Sequence, residues 1–229
     1  MGFKLTPYGM REVAITAAVE TVLFALVIWG AIAVCKYILV LLVLPLALWA
    51  CVLWFFRDPE RHPPQGAGLL VSPADGRVSD ITPVGQQSAL GREGVRIGIF
   101  MSVFDVHVNR APCDGRIEKI ERRKGAFLDA RATDAPERNE SATIHMTCRY
   151  EGRELPLVVR QVAGLIARRI VTDLTEGQDV RCGQRIGMIK FGSRLELWAP
   201  RELAGEVRVS VGRKVRAGET VLIAAKESR

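Results

Sequence analysis

Three widely spaced residues, Asp75, His107 and Ser193, carry the side chains from which an activated serine is built. A serine hydroxyl becomes a nucleophile when a histidine takes its proton and a carboxylate orients that histidine. Each of the three lies in a turn-rich segment or at a strand edge with small neighbours, a setting that favours reactive positions over core packing. Most chains contain such a trio, so it becomes informative only through the dipeptide that contains the serine.

The dipeptide Gly192-Ser193 has the composition of a self-cleavage site. Gly192 has no Cβ, so the peptide bond that follows it can be approached closely or held in a strained geometry. Attack of the Ser193 hydroxyl on the preceding carbonyl would convert the amide to an ester. Elimination would then leave dehydroalanine, which hydrolyses to a pyruvoyl group. The competing interpretation is a plain turn, because glycine and serine are common turn residues.

The other candidate side chains have simpler interpretations. His145 shares the polar face of a predicted strand with two threonines, and His62 lies in a proline-rich connector, so neither is assigned chemistry. The basic run 122–124 is interpreted as a solvated face, or as one that lies on anionic lipid. The five cysteines have no paired spacing, and no metal site is predicted.

The elements that must position these residues are mainly strands. Short apolar runs cut by glycine and proline follow Pro64, and no amphipathic helix of more than about three turns is apparent. We therefore expect a mainly β domain of the α+β class, with helical turns around 127–133 at most. The predicted strands are 94–101, 115–121, 142–148, 155–162, 179–189, 195–198, 206–211 and 220–224.

An internal repeat refines this fold prediction. Residues 176–186 and 211–221 share the pattern Gly-x-x-Val-x-x-Gly-x-x-aliphatic, in which the glycines supply turn geometry and the aliphatic residues point into a core. Such hairpins resemble the small barrel of lipoyl and biotinyl carrier domains. Neither tip offers the lysine that such a carrier modifies, so a carrier function is not indicated.

The N-terminal segment 13–56 is almost entirely apolar, with Lys36 as the only charge after Glu20. It is too long for one membrane pass of about 20 residues, and we expect two helices, Thr21–Val34 (with some residues before it) and Ile38–Phe56. A shallow re-entrant hairpin kinked at Pro45 and a pair of buried core helices are the alternatives. A cleaved signal peptide is disfavoured by the length of the run.

Charge indicates how this hairpin is oriented. Lys4 and Arg11 precede the apolar run and Arg57 and Arg61 follow it, so the positive-inside bias places both ends in the cytoplasm. The proline-dense connector that follows is where a domain boundary should fall. We therefore predict a membrane-anchoring domain at 1–60 and a catalytic domain at 61–229. The net charge of +7 suits an anionic membrane surface or an acidic substrate as well as nucleic acid, and the apolar segment favours the membrane.

Four ordered motifs stand along the chain: FFRDP at 55–59, SPADG at 72–76, FDVHVNR at 104–110 and FGSR at 191–194. Together they resemble the short, archaeal-type branch of the phosphatidylserine decarboxylase family. One such motif would be weak evidence, whereas four in order are specific. The resemblance covers most of residues 57–229.

The resemblance implies roles for the trio. His107 takes the proton of Ser193, and Asp75 holds the imidazole in its productive tautomer. Scission between Gly192 and Ser193 yields a β chain 1–192 and an α chain 193–229 that stay associated as a heterodimer, with a higher oligomer left open. Ser193 becomes the pyruvoyl cofactor.

The implied reaction is a carboxy-lyase step of phospholipid biosynthesis. The pyruvoyl group forms a Schiff base with the amine of phosphatidylserine, carbon dioxide leaves, and phosphatidylethanolamine is released with His107 as the expected proton donor. Arg110 stands where longer family members have a second histidine, and FGSR replaces their LGST motif. Both departures are what the short branch shows.

Two other functions remain open at this stage. A decarboxylase of a related serine phospholipid, such as archaetidylserine, would share the headgroup chemistry. A non-enzymatic membrane adaptor would use the carrier-like barrel as a binding module. In each case the partner is the membrane, at the cytoplasmic face of the inner membrane, and no nucleic acid is expected.

Overall fold

The computed structural model describes residues 4–33, 41–129, 135–165, 169–190 and 193–225. The chain divides into two compact units, Met1–Pro59 and Glu60–Arg229.

The first unit is an antiparallel helical hairpin. A 3-10 turn at Pro7–Gly9 leads into α1 (Met10–Ala33), and α2 (Val43–Phe55) returns. The Thr6 amide donates to the Phe56 carbonyl at 2.9 Å, and the Asp58 amide donates to the Lys4 carbonyl at 2.8 Å. The start of α1 and the end of α2 are therefore joined by backbone hydrogen bonds.

The first helix includes residues before Thr21, as expected, and begins at Met10. The second begins at Val43 rather than at Ile38. Residues 35–37, which separate the two predicted helices, lie outside the described residues. At about 1.5 Å per residue, α1 is roughly 36 Å long and α2 roughly 20 Å, against a hydrocarbon core of about 30 Å.

Of the helices that the structure describes, one is long and apolar enough to cross a membrane. It covers Pro7–Ile32, with a mean hydropathy of 2.1 and 6% of its most apolar window buried. Trp29 is 71% exposed and Ile32 is 83% exposed, so the hairpin presents its apolar side chains outward. An exposed apolar surface of this extent marks a contact with lipid or protein, and the helix is consistent with membrane association.

The second unit is strand-rich, and the mainly β fold class is confirmed. Among its described residues there is one α-helix, α3 (Ala135–Arg138), which is a single turn long. The strands are β1 (Leu69–Val71), β2 (Gly76–Val84), β3 (Gly94–Met101), β4 (Val108–Arg110), β5 (Gly115–Arg123), β6 (Ser141–Tyr150), β7 (Arg153–Val162), β8 (Ile170–Thr172), β9 (Asp179–Val180), β10 (Arg185–Ile189), β11 (Ser193–Pro200), β12 (Glu206–Val207), β13 (Lys214–Val215) and β14 (Val221–Ala224).

These strands form three sheets in the described part of the chain. The largest has the order β13-β2-β3-β11-β7-β6-β5-β9, and the smaller ones have the orders β4-β10-β8 and β1-β14-β12. β11 is buried along its whole length and pairs antiparallel with β3 on one side and β7 on the other. Its alternate side chains Leu195, Leu197 and Ala199 enter the main hydrophobic core.

One predicted strand is divided in the structure. Residues 179–189 form β9 and β10, separated by a turn at Gly183 whose φ is +75°. A positive φ of this kind suits glycine, which has no Cβ to clash, and it reverses the chain where the sequence suggested continuity. β9 then pairs with β5, and β10 pairs with β4 and β8.

The two segments of this internal repeat, 176–186 and 211–221, have the same backbone conformation at their glycines. Gly177 and Gly212 have φ values of +83° and +88°, and Gly183 and Gly218 have φ values of +75° and +74°. An ideal Cβ on Gly218 would lie 3.4 Å from the Cα of Gly183, so the two turns pack against each other. The strands that flank each turn pair with other strands of the domain rather than with each other.

The structure also reveals a second repeat, related to the first. Residues 72–78 (SPADGRV) match 111–117 (APCDGRI). Ser72 exchanges backbone hydrogen bonds with Gly218 and Thr220, and Ala111 does the same with Gly183 and Gln184. The domain is therefore built from two similar halves around an approximate two-fold axis.

The two halves meet at this axis through reciprocal hydrogen bonds. The Arg110 amide donates to the Pro73 carbonyl and the Val71 amide donates to the Pro112 carbonyl, both at 2.9 Å. The axis brings the segment before Asp75 against β4, which directly follows His107.

Candidate active site

Ser193 is the first residue of β11 and is fully buried. It follows the segment by which the chain passes from β10 in a three-stranded sheet to β11 in the eight-stranded sheet. Among the described residues its hydroxyl has one hydrogen-bond partner, the Met101 sulfur at 3.7 Å. A thioether is a weak acceptor, so the hydroxyl is held only weakly. Gly192 lies outside the described residues.

His107 is also fully buried, immediately before β4. Its Nδ1 lies 2.9 Å from the carbonyl oxygen of Asp105. A carbonyl oxygen only accepts hydrogen bonds, so Nδ1 carries the hydrogen and the neutral ring has its lone pair on Nε2. This is the tautomer that a general base acting through Nε2 requires.

The strand register brings His107 and Ser193 into one region. Val108 pairs with Met188, so one further step along the antiparallel ladder sets His107 opposite Ile189, four residues before Ser193. The Asn109 side-chain amide donates to the Met101 sulfur at 3.8 Å, and the Ser193 hydroxyl donates to the same atom. Met101 is thus a common neighbour of the serine and of the strand that follows His107.

A buried polar chain fixes Asn109. Its Oδ1 accepts a hydrogen bond of 2.8 Å from Gln161, whose Oε1 in turn accepts one of 3.0 Å from Thr172. The sequence analysis did not identify Asn109 or Gln161. Asn109 lies two residues after His107 and therefore on the same face of the strand, which was a sequence signal for Asn109. Gln161 lies 52 residues from its partner and gave no local signal.

Asp75 lies near this region but is bound elsewhere. Arg61 contacts both of its oxygens, at 2.8 and 3.0 Å, and the Ala217 amide donates to Oδ1 at 2.8 Å. In the part of the chain that the structure describes, no hydrogen bond joins Asp75 to His107. The contact with Nδ1 that the resemblance assigns to Asp75 is made here by the Asp105 carbonyl.

Electrostatics distinguish Asp75 from an ordinary surface carboxylate. Burial raises its pKa above the ordinary value, while the Arg61 charge and the Ala217 amide act in the opposite direction. The charge of Asp105 adds to the rise of the Asp75 pKa. A buried, perturbed carboxyl of this kind is typical of functional sites.

Asp114 is the counterpart of Asp75 in the other half of the repeat. The Cys182 amide donates to Asp114 Oδ1 at 2.6 Å, as the Ala217 amide does to Asp75. The hydrogen bond to the turn is therefore a feature of the repeat. Of these two carboxylates, only Asp75 has an arginine ion pair among the described residues.

A buried ion network begins at Arg194, directly after Ser193. It lies on the face of β11 opposite to the Ser193 side chain. The Arg194 guanidinium contacts Asp80 at 2.7 Å and Glu196 at 3.0 Å, and it donates to the Ser79 hydroxyl at 3.0 Å. A Cβ on Gly98 would collide with the Arg194 guanidinium and the Asp80 carboxylate, so a side chain there would displace the network. This network anchors the strand one residue after Ser193.

The charges of this network are balanced. Arg194 is 8% exposed at its side chain and Glu196 is fully buried. Burial acts to raise the pKa of Asp80, but the Ser79 hydroxyl and the Arg194 and Arg96 guanidinium groups together lower it.

Comparison with known proteins identifies a family. A family model described as phosphatidylserine decarboxylase matches residues 48–223. The matched range contains Asp75, His107 and Ser193.

Individual proteins match over most of their length, and each is named phosphatidylserine decarboxylase proenzyme. The protein of Syntrophus aciditrophicus is 46% identical over 180 residues, covering 79% of this chain and 82% of that protein. The protein of Paramagnetospirillum magneticum is 48% identical over 172 residues, covering 74% and 70%. The protein of Ruegeria pomeroyi is 42% identical over 221 residues, covering 94% and 93%.

The ion network generates a stability prediction. Arg194→Met leaves two carboxylates close together without their main cation, and we expect the free energy of unfolding to fall by about 3 kcal/mol or more. Arg201→Met is the control, because Arg201 pairs with Glu93 at 3.6 Å on the surface, with side-chain exposures of 83% and 64%. Its effect should stay within about 0.5 kcal/mol. An equal decrease of the unfolding midpoint in the two variants would contradict the anchoring role of Arg194.

Proposed function

This chain belongs to the phosphatidylserine decarboxylase family, and on that premise we propose that it decarboxylates phosphatidylserine to phosphatidylethanolamine through a pyruvoyl group made from its own Ser193. The observation that carries this proposal is that Ser193 and His107 are both fully buried, with Met101 contacting Ser193 and Asn109 of the strand that follows His107. The serine hydroxyl is weakly held, and the Asp105 carbonyl selects the histidine tautomer with its lone pair on Nε2. Relatives named as proenzymes support processing of the chain.

Processing begins at the serine hydroxyl. His107 Nε2 takes the hydroxyl proton while Ser193 Oγ attacks the carbonyl carbon of Gly192. The C–N bond breaks as the C–O bond forms, and the freed nitrogen takes up the proton, which leaves an ester. Loss of the Ser193 α-proton then expels the Gly192 carboxylate and leaves dehydroalanine at position 193. One water hydrolyses its enamine, releases ammonia and leaves the pyruvoyl ketone.

The residues around position 193 fit such a group. The Met101 sulfur that the Ser193 hydroxyl contacts also accepts a hydrogen bond from the Asn109 side-chain amide, so Met101 keeps a partner when the hydroxyl is lost. When present, the ketone supplies an electron sink for loss of carbon dioxide from an amine-linked substrate. His107 would then hold the proton that the product carbon receives, and the burial of the region would exclude water.

The fold accounts for the association of the two chains. β11 belongs to the α chain 193–229, whereas its neighbours β3 and β7 belong to the β chain 1–192. Eight residue pairs join β11 to β3 and five join it to β7, so scission at Gly192 leaves every one of these pairs in place.

Asp75 is proposed to orient His107 from a distance. Its contacts with Arg61 and Ala217 fix the segment whose Pro73 carbonyl receives the Arg110 amide of β4. Asp75 is thus a positioning residue that holds the strand following His107, and the Asp105 carbonyl completes the orientation of the ring.

The proposed location is the cytoplasmic face of the inner membrane. The apolar helix Pro7–Ile32 would hold the chain in the bilayer. The backbone hydrogen bonds at Thr6 and Asp58 place the two ends of the hairpin together, beside the positive charges of Lys4, Arg11 and Arg57. An arrangement with both ends on the cytoplasmic side satisfies the positive-inside bias.

Ser193→Ala removes the nucleophile, and we expect one uncut chain and no carbon dioxide release from phosphatidylserine vesicles. Intact-mass spectrometry of purified protein and release of labelled carbon dioxide measure the two results. Ser210→Ala, in an exposed turn, is the matched control and should be cut and active. Two chains from Ser193→Ala would falsify the assignment of the nucleophile.

His107→Ala removes the base, and we expect processing of the precursor to slow by about 10²–10⁴-fold. The rate at which the precursor band converts to two chains on a denaturing gel measures this effect. His145→Ala is the control, because His145 is partly exposed on β6 and faces Glu121 at 3.7 Å. Processing of His107→Ala at the normal rate would remove His107 from the mechanism.

Asp75→Asn keeps an oxygen for the Ala217 amide but removes the charge that pairs with Arg61. We expect processing to slow by about tenfold or more, since misplacement of a catalytic group by about 1 Å costs up to about 10²-fold. Asp114→Asn makes the same change in the other half of the repeat and should be processed normally. Equal rates for the two variants would show that Asp75 has no role beyond that of its counterpart.

A further inference from the structure

Most exposed apolar side chains of the second unit occur at one place. Among its described residues, the large apolar side chains that are exposed are Val103 at 39%, Phe104 at 76%, Leu165 at 65% and Val211 at 62%. The first three lie in two loops, and we call these three residues the apolar lip. A cluster of exposed apolar residues marks an interaction surface more often than single scattered ones do.

The register sets the apolar lip around Ser193. β3 ends at Met101, which pairs with Ser193, and the Val103–Phe104 loop follows at once. β7 ends at Val162, which pairs with Arg194, and Leu165 follows three residues later. Because neighbouring strands lie about 4.8 Å apart, the two loops leave the sheet on either side of Ser193, about 10 Å from each other.

Both loops are fixed at their bases. The Ser102 amide and hydroxyl donate to Asp105 Oδ2 at 2.9 and 2.8 Å, and the Asp105 amide donates back to the Ser102 carbonyl at 3.0 Å. The Ala163 amide donates to Glu140, and the Ala163 carbonyl accepts from the Asn139 side chain at 2.8 Å. The base of each loop is therefore held in place by hydrogen bonds.

Positive charge lies at the same end of the sheet. Val162 pairs with Ser141, and Ser141 pairs with Arg123, so the strand end at Ser193 continues to the basic run at the end of β5. Arg122, Arg123, Lys124 and Arg169 are exposed there, as is Arg138. The exposed acidic side chains of this end are fewer: Glu121 and Glu137 are exposed, and Asp105, Asp129 and Glu140 are partly exposed.

We propose that this end of the sheet docks on an anionic phospholipid bilayer, with the apolar lip inserted among the lipids and the basic run against their headgroups. The proposal rests on the function proposed above and adds how the substrate is reached. A phospholipid whose headgroup must contact residue 193 then keeps its acyl chains in apolar surroundings throughout. If the lip and those acyl chains stayed in water, their apolar surface would remain exposed at a free-energy cost of about 25 cal/mol per Å².

The bilayer fits better than a protein partner on two grounds. The chain already has a helix of membrane-spanning length and hydropathy, so the domain is held close to lipid. Apolar tips flanked by lysine and arginine also match the structure of a bilayer, which is apolar inside and anionic at its surface.

The test compares two forms of the substrate with the full chain reconstituted in vesicles. Long-chain phosphatidylserine is presented in the bilayer, and short-chain phosphatidylserine is presented as monomers in solution. For Val103→Ser/Phe104→Ser/Leu165→Ser, we expect the ratio of bilayer to monomer activity to fall by about tenfold or more. Val211→Ser is the matched control, exposed to the same degree but beside β13, three strands from β11, and its ratio should not change.

Several results would overturn the proposal. An unchanged ratio of bilayer to monomer activity in the triple variant would do so. An equal fall of this ratio in Val211→Ser would do so as well. A change of oligomeric state in the triple variant, with the ratio unchanged, would assign the lip to a contact between copies of this chain.

A second measurement does not depend on activity. An environment-sensitive fluorescent amino acid replaces Phe104 in the full chain, with the same amino acid at Val211 as control. Vesicles of equal parts phosphatidylcholine and phosphatidylglycerol should shift the emission at position 104 to the blue and leave position 211 unchanged, and Arg122→Glu/Lys124→Glu should reduce the shift. No shift at position 104 would refute docking. A shift in a protein that releases no carbon dioxide would refute the proposed function alone.

Discussion

The pairing of β11 with β3 and β7 is the constraint on which the rest of the structure depends. β11 is buried on both faces, with Leu195 and Leu197 in the core and Arg194 and Glu196 in an ion network. A strand held by hydrogen bonds on two edges and by packing on two faces has little freedom to shift. The residue at its start is therefore fixed more firmly than a residue in an ordinary loop.

This constraint accommodates a break in the chain. The proposed scission falls immediately before β11, where the chain leaves one sheet and joins another. The contacts that hold the strand lie after the break and are made with strands far away in sequence. A fold of this kind needs no covalent link at that point to keep position 193 in place, whereas a cut within β11 would divide the core.

The two halves of the approximate two-fold repeat differ at the proposed site. Both halves use an aspartate that accepts a hydrogen bond from a turn, at Asp75 and at Asp114. Only the first also contacts a buried arginine, and only the first lies against the strand that follows His107. The proposed site is therefore associated with the departures from symmetry, because the symmetric contacts maintain the fold in both halves.

The sequence determined the fold class, the apolar hairpin and several strands. The predicted strand 94–101 coincides with β3, and 155–162 lies within β7, because alternation and glycine boundaries are local properties of the chain. The chemical trio was also visible from residue types and motifs, although its roles remain predictions.

The tertiary structure alone decided which partners these residues have. The pairing of Asp75 with Arg61, the contact of His107 with the Asp105 carbonyl and the Asn109–Gln161 hydrogen bond depend on the order of strands in the sheets. The exposure of Phe104 and Leu165 on either side of Ser193 depends on it too. A local pattern encodes the period and the ends of an element, but the pairing of distant strands is set by packing of the whole core, so these contacts appear only once the chain is folded.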